Sequence, residues 1–224
     1  MAVSPSSKAA RELAVLHAEI RGCTRCVEAG YLPFAQPTLE GEASDRIMVI
    51  GQAPGEVELT TRRPFTGRAG AELRRWLEEA GVAKPPYRTS MTKCFPGKAR
   101  TGSGDRRPSP PELRLCASWL EQELALVRPA IVLLVGGLSI ERFWGKVPLD
   151  QAIGRMRRDG DRLLIPLPHP SGASRWLNDD RHRLLLRRAL GILRREVKRV
   201  GQGIDTQHGT PAESRSARGA AKSS

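Results

Sequence analysis

The chain has 224 residues, with 37 Lys and Arg against 24 Asp and Glu, a formal net charge of +13 and four cysteines. That length holds one compact domain with a sizeable core and is too short to argue for two. The charge makes a polyanion the first partner to consider, no stretch reaches the roughly 20 apolar residues of a bilayer span, and the start MAVSPSSKAA lacks the apolar centre of a signal peptide.

A first helix is predicted over 8–21, where Leu13, Leu16, His17 and Ile20 recur at helical spacing before Gly22. His17 reads as a packing or surface histidine. Residues 28–45 read as a long connection, ended by the apolar run Ile47-Met48-Val49-Ile50, a buried strand that enters the glycine-bounded turn GQAPG at 51–55. A helix over 69–80 carries Leu73, Trp76, Leu77 and Ala80 on one face, and a second strand follows at Tyr87–Met91. After a Gly, Ser, Arg and Pro-rich loop at 96–109 come a helix over 111–126, a buried strand at Ala130–Val135 ended by Gly136-Gly137, and a short helix near Leu138–Trp144. A last strand at Leu163–Leu167 leads through the loop HPSGASRWLND to a basic helix over 180–199. Residues 155–199 hold thirteen Lys and Arg against five acids, which is either a solvated helix face or an electrostatic footprint for nucleic acid. From Gly201 onward the composition has no apolar period and reads as a disordered tail.

Four strands alternating with helices predict an α/β domain, a three-layer α/β/α sandwich around a parallel sheet. Sites in such sheets form outside the carboxyl ends of the strands. Those ends carry GQAPG, TSMTKC, VGGL and PLPHPS, so the most unusual peptides of the chain converge on one edge.

Cys23 and Cys26 form a C-x2-C turn, with Cys94 and Cys116 as more distant partners. A cytoplasmic location is expected, where thiols stay reduced and two disulfides are disfavoured. Four soft ligands suit a tetrahedral zinc or a 4Fe-4S cluster, and free thiols are the third alternative. In GQAPG the glycines and Pro54 shape a turn whose backbone N–H groups can face a carbonyl or a water; a plain strand-to-helix turn is the other reading. Phe65, between Pro64 and Gly67 in RPFTG, is either core or a stacking platform for a flat ring. His169 sits at a strand end before a small-residue loop that closes on Arg175 and Trp176, suited to entering a DNA groove while the histidine faces an extruded base.

Taken together and in order, Cys23/Cys26, GQAPGEVE, RPFTGRAG, TSMTKC, Cys116 with Trp119-Leu120, and HPSG resemble the uracil-DNA glycosylase superfamily, particularly its iron–sulfur family 4, from about Gly22 to Val200. The resemblance implies a four-stranded parallel sheet, a structural 4Fe-4S cluster on Cys23, Cys26, Cys94 and Cys116, no catalytic metal, and a monomer acting on DNA that contains uracil or another deaminated base. It implies that His169 stabilises the leaving base, that Phe65 stacks on it, and that the backbone around Gln52, Ala53, Pro54 and Gly55 holds the water. Glu56 or Glu58 is the candidate carboxylate, with Glu56 preferred as nearer the turn. Lys93, Ser171 and Arg175 are assigned to DNA, with Arg175 or Trp176 filling the vacated stack.

Three positions depart from the family pattern. Gln52 replaces the usual glutamate, Ala53 stands where another branch has its water-activating aspartate, and Ser90 replaces the uracil-reading asparagine. Asn178 is the candidate to supply the missing amide. A non-catalytic nucleic-acid-binding module would keep the charge without needing His169, and a zinc or redox adaptor would keep the cysteines without needing RPF.

Overall fold

The computed structural model describes residues 5–100, 104–171 and 175–205. Its elements in chain order are α1 (Pro5–Arg21), α2 (Arg25–Glu28), β1 (Ile47–Gly51), α3 (Glu56–Thr61), α4 (Arg68–Glu79), β2 (Tyr87–Ser90), α5 (Pro110–Val127), β3 (Ile131–Val135), α6 (Gly137–Phe143), α7 (Leu149–Ala152), β4 (Arg157–Asp159), β5 (Arg162–Leu167) and α8 (Asp180–Asp205). The strands lie in the order β2-β1-β3-β5-β4, and all pair in parallel except β4, which runs antiparallel to β5.

The expected sheet of four parallel strands is therefore corrected to five strands, four of them parallel. β4 escapes a search for apolar runs because all three of its residues are exposed. A short, charged strand at a sheet edge also discourages pairing with another chain. It pairs only as far as Leu164, so Pro166 comes where β5 has no neighbour on that side and its missing N–H costs no ladder bond.

Both faces of the sheet are buried, and the side chains alternate between two cores. Met48, Ile50, Val132 and Leu134 pack with Leu13, Leu16 and Ile20 of α1 and Trp119, Leu120 and Leu124 of α5. Val49, Leu133, Val135, Ile165 and Leu167 pack on the other side with Leu73, Trp76 and Leu77 of α4 and Leu186, Ala189, Leu190 and Leu193 of α8. This is the three-layer α/β/α arrangement. Helix α5 starts with a capping box, in which the Ser109 N–H and hydroxyl donate to Glu112 Oε2 at 2.8 and 2.7 Å, and Pro110 takes the first turn.

Two expectations about segments change. Residues 201–205 continue α8 instead of starting the tail, and residues 206–224 lie outside the described residues, as do 172–174 of the small-residue loop. The polar loop after β2 is partly an antiparallel ribbon: Lys98 bridges Asp105, the Ala99 N–H donates to the Gly104 carbonyl at 3.0 Å, and the Arg106 N–H to the Gly97 carbonyl at 2.9 Å.

Candidate active site

The strand order makes β1 the switch strand, with β2 on one side and β3 on the other, so a crevice is expected outside its carboxyl end. Gly51 ends β1 there. A Cβ added to Gly51 would lie 2.7 Å from Phe65 Cζ and 3.4 Å from Ser90 Oγ, so the Phe65 ring tip and the Ser90 hydroxyl flank the end of the strand. Phe65 is half-buried and adopts φ +58°, a left-handed conformation that costs a non-glycine residue about 1 kcal/mol or more. Its neighbours hold it there. A Cβ on Gly70 would come within 1.8 Å of the Phe65 carbonyl oxygen, so only glycine lets the first turn of α4 pass so close.

Glu58 fixes both loops around this ring. It is 7% exposed; Oε2 accepts the Gly55 N–H at 2.9 Å, while Oε1 accepts the N–H groups of Thr66 and Gly67 at 2.8 and 3.0 Å. Its charge is spent on backbone. Glu56 is a surface residue whose Oε2 lies 2.6 Å from Lys98 Nζ, with 62% of its side chain exposed. The same Lys98 lies 3.1 Å from Asp105 Oδ1, so the Glu56 and Asp105 carboxylates share one ammonium, with Glu56 the more exposed of the two.

His169 follows β5 and lies over Gly136, where an added Cβ would be 3.2 Å from its Cδ2. Its Nδ1 accepts the Ser171 N–H at 3.3 Å and sits 2.9 Å from the Ser171 hydroxyl. Because a backbone N–H can only donate, the ring proton belongs on Nε2, which leaves a neutral N–H donor for a ligand. Burial lowers the His169 pKa below the usual histidine value, against a smaller raising effect from the Asp105 carboxylate. Ser171 thus orients His169.

Lys93 requires a correction. It is 1% exposed, its Nζ lies 2.6 Å from Glu123 Oε2, and it donates to Thr89 Oγ1 and the Ser90 carbonyl at 2.8 Å each. A phosphate cannot reach it. Glu123 also accepts hydroxyl protons from Tyr87 and Thr89 at 3.0 and 3.1 Å, and Tyr87 in turn lies 2.8 Å from His17 Nε2. His17 is accordingly a buried member of a polar network that joins α1, β2 and α5.

Trp176 is stacked on His182, with ring centroids 4.0 Å apart and planes at 5°, and packs against the α4/α8 core. Its ring is engaged in holding the start of α8, which corrects the expectation of a free wedge. Asn178 is exposed, and its carbonyl accepts Arg183 Nη1 at 3.1 Å. Arg175 opens the 3-10 turn 175–178. On α8, Arg194 donates to the Glu79 carbonyl at 3.2 and 2.6 Å, at the end of α4 away from the site. From Asp180 to Arg194 the helix travels about 21 Å, so the basic residues nearest the crevice are those of its first turns.

The four cysteines line one cavity with Thr92, Lys93, Glu112 and Trp119. Trp119 Nε1 donates to Cys23 Sγ and the Lys93 N–H to Cys116 Sγ, both at 3.3 Å. Burial, then the neighbouring thiols, pushes the Cys26 pKa up to about 11; burial pushes Cys94 up to about 12, with the Gln36 N–H opposing it. Burial raises Cys116 as well, and thiols raised in this way give up their protons when a cation takes their place. Among the described residues no three His, Cys, Asp or Glu close on a single ion, and the buried Thr92 Oγ1 has no hydrogen-bond partner among them. The donor set and that unpaired hydroxyl fit a thiolate-bound group that spans the cavity.

Glu58 was a candidate carboxylate from the sequence, but its role as a backbone acceptor, the burial of Lys93 and the Asp105 ribbon were not foreseen. Only Glu58 left a signal, since an acid three residues after a glycine turn marks a capped helix start.

A family profile described as the uracil DNA glycosylase superfamily matches residues 39–191. The type-4 uracil-DNA glycosylase of Thermotoga maritima is 31% identical over 151 residues, 66% of this chain and 76% of that protein. The type-4 uracil-DNA glycosylase of Saccharolobus solfataricus is 30% identical over 166 residues, 69% of this chain and 74% of that protein. A type-5 uracil-DNA glycosylase of Thermus thermophilus is 35% identical over a shorter 117 residues, 45% of this chain and 50% of that protein. With its switch-strand crevice, ordered histidine and profile match over most of its length, the chain belongs to the uracil DNA glycosylase superfamily.

Proposed function

We propose that this chain hydrolyses the N-glycosidic bond of uracil, or of another deaminated base, in DNA, leaving an abasic site for base excision repair. The observation that carries the reading is His169, held by the Ser171 N–H as an Nε2–H donor at the strand edge that Phe65 and Ser90 also border.

A deoxyuridine swings out of the stack at a cost of a few kcal/mol, least at a mismatch or in a single strand. Phe65 stacks on its ring, and the Ser90 hydroxyl meets one polar group of its edge. As the C1′–N bond stretches, negative charge gathers on the base and positive charge on the sugar. His169 Nε2–H donates to the 2-carbonyl oxygen, where a preorganised donor has its largest effect. The backbone around Gln52, Ala53, Pro54 and Gly55 borders the water. Arg175 and the early basic residues of α8 meet phosphates, with Arg175 entering the gap left by the base.

Cys23, Cys26, Cys94 and Cys116 would hold a 4Fe-4S cluster, which supplies structural cross-linking between the segment after α1, the exit of β2 and α5. The support for this is that all four thiols line one cavity and form the all-cysteine donor set that such a cluster takes. Among the described residues no helix is long and apolar enough to cross a membrane; a cytoplasmic monomer is the working form.

The test is an oligonucleotide with one uracil, incubated with the protein and then treated with alkali. Scission only after alkali is the expected result. Absence of abasic sites from uracil, hypoxanthine and xanthine alike would overturn the reading, as would strand cutting without alkali.

A further inference from the structure

We infer that Asp105, in the ribbon after β2, is the carboxylate that receives the proton of the attacking water; this rests on the glycosylase reading above. The crevice has to find such a group outside the usual turn, because Gln52 and Ala53 carry no acid. Glu58 is occupied by three backbone N–H groups, and Glu56, which shares Lys98 with Asp105, has 62% of its side chain exposed against 34% for Asp105.

Asp105 meets the geometric requirements. A Cβ on Gly55 would lie 3.1 Å from its Oδ2, so this oxygen stands against the last residue of the GQAPG turn. The Asp105 carboxylate also opposes the burial that lowers the His169 pKa. Lys98 Nζ holds the opposite oxygen, Oδ1, at 3.1 Å, which fixes the side chain and leaves Oδ2 for a water. The carboxylate is partly open, with 34% of the side chain exposed, as access for water requires. Gly55 contributes by having no side chain, since any would collide with Oδ2 and with Glu58 Oε2, 2.9 Å away.

The ribbon that carries Asp105 is anchored on its far side. Arg106 donates from both terminal nitrogens to the two Glu112 oxygens, each at 2.7 Å. Glu112 belongs to the first turn of α5 and lines the cysteine cavity. Adjacent residues therefore face two sites: Arg106 grips the helix that carries Cys116, and Asp105 is set at the crevice.

The step balances as follows. The C1′–N electron pair leaves with the base, whose charge His169 Nε2–H stabilises. A water oxygen bonds to C1′, its proton passes to Asp105 Oδ2, and that proton returns to the base anion or to solvent. The products are an abasic sugar with a C1′ hydroxyl and the free base. Before the water attacks, the same carboxylate offsets the positive charge on the sugar.

Single-turnover excision from a uracil oligonucleotide tests the assignment with Asp105→Asn, Asp105→Glu and Glu56→Gln, alongside DNA affinity and visible absorption of each protein. Asp105→Asn should slow excision by about 10² to 10⁴, the usual range for a general base, while DNA affinity and absorption stay at the wild-type level. Asp105→Glu, which keeps the base, should recover part of the rate, and Glu56→Gln should fall by less than Asp105→Asn. An active wild type with Asp105→Asn equally fast overturns this inference alone, as does Asp105→Glu no better than Asp105→Asn. A wild type that excises no base overturns the glycosylase reading instead.

Discussion

Replacing Lys93 by Met separates two roles for one basic residue. As a phosphate contact, its loss would leave folding intact and reduce the salt slope of DNA binding by about 0.9, the share of one released counterion. As the buried partner of Glu123, its loss strands a carboxylate that is 0% exposed. Breaking a buried pair from one side costs about 3–5 kcal/mol. Glu123 would keep the Tyr87 and Thr89 hydroxyls, so the lower end, about 3 kcal/mol, applies. For a chain of this size that lowers the unfolding midpoint by about 6–12 °C. Lys93→Met/Glu123→Leu removes the stranded charge and should regain part of the loss, though not all, because the Thr89 hydroxyl then lacks an acceptor while Tyr87 keeps only His17 Nε2. Thermal unfolding and DNA titrations at several salt concentrations measure both quantities. An unchanged midpoint together with a shallower salt slope in Lys93→Met would refute the buried-pair argument.

Four further outcomes are expected. His169→Ala should lower single-turnover excision by about 10² to 10³ with DNA affinity retained, and an unchanged rate would remove it from the mechanism. Burial lowers the pKa of His17, reinforced by Arg21 and opposed by Glu123, and that of His169, opposed by Asp105. The unfolded chain then takes up these protons first, so stability is full above the ordinary histidine value and declines as pH falls below it; denaturation midpoints that rise toward acid would contradict the sign. Protein prepared without oxygen should show the broad visible absorption of thiolate-bound iron, lost together with solubility in Cys94→Ser or Cys116→Ser, whereas stoichiometric zinc without iron would exclude the cluster. Because one hydroxyl reads less of uracil's edge than an amide does, hypoxanthine or xanthine should be excised better by wild type than by Ser90→Asn; specificity lost only in Asn178→Ala would assign the reading to Asn178.

The parts legible in the sequence are those in which one local signal suffices. Apolar runs bounded by glycine marked β1 and β3, helical stripes marked α1, α4, α5 and α8, and the strand-end rule brought Gln52, Ser90 and His169 to one edge. The misreadings share a different cause. The partner of Lys93 is Glu123, thirty residues away on another element, and nothing within TSMTKC distinguishes a buried ammonium from an exposed one. Trp176 looked free because its stacking partner, His182, belongs to the first turn of the next helix, and spacing alone does not show that the two rings meet. Asp105 belongs to a ribbon without apolar alternation, held by Arg106 and Glu112, so periodicity has nothing to detect.

The peptide from Thr89 to Cys94 places the Ser90 hydroxyl, the buried ammonium and a cysteine of the cavity within six residues. The Lys93 side chain holds the Ser90 carbonyl, and its N–H meets Cys116. Ser90, proposed to meet the base, is thus fastened to the buried interior, while the residues proposed to meet phosphates belong to the 175–178 turn and the basic start of α8. Because Lys93 binds the Ser90 carbonyl, the side chain at position 90 can change without breaking that bond, while the backbone that carries it stays tied through Lys93 to Cys116 and the cysteine cavity.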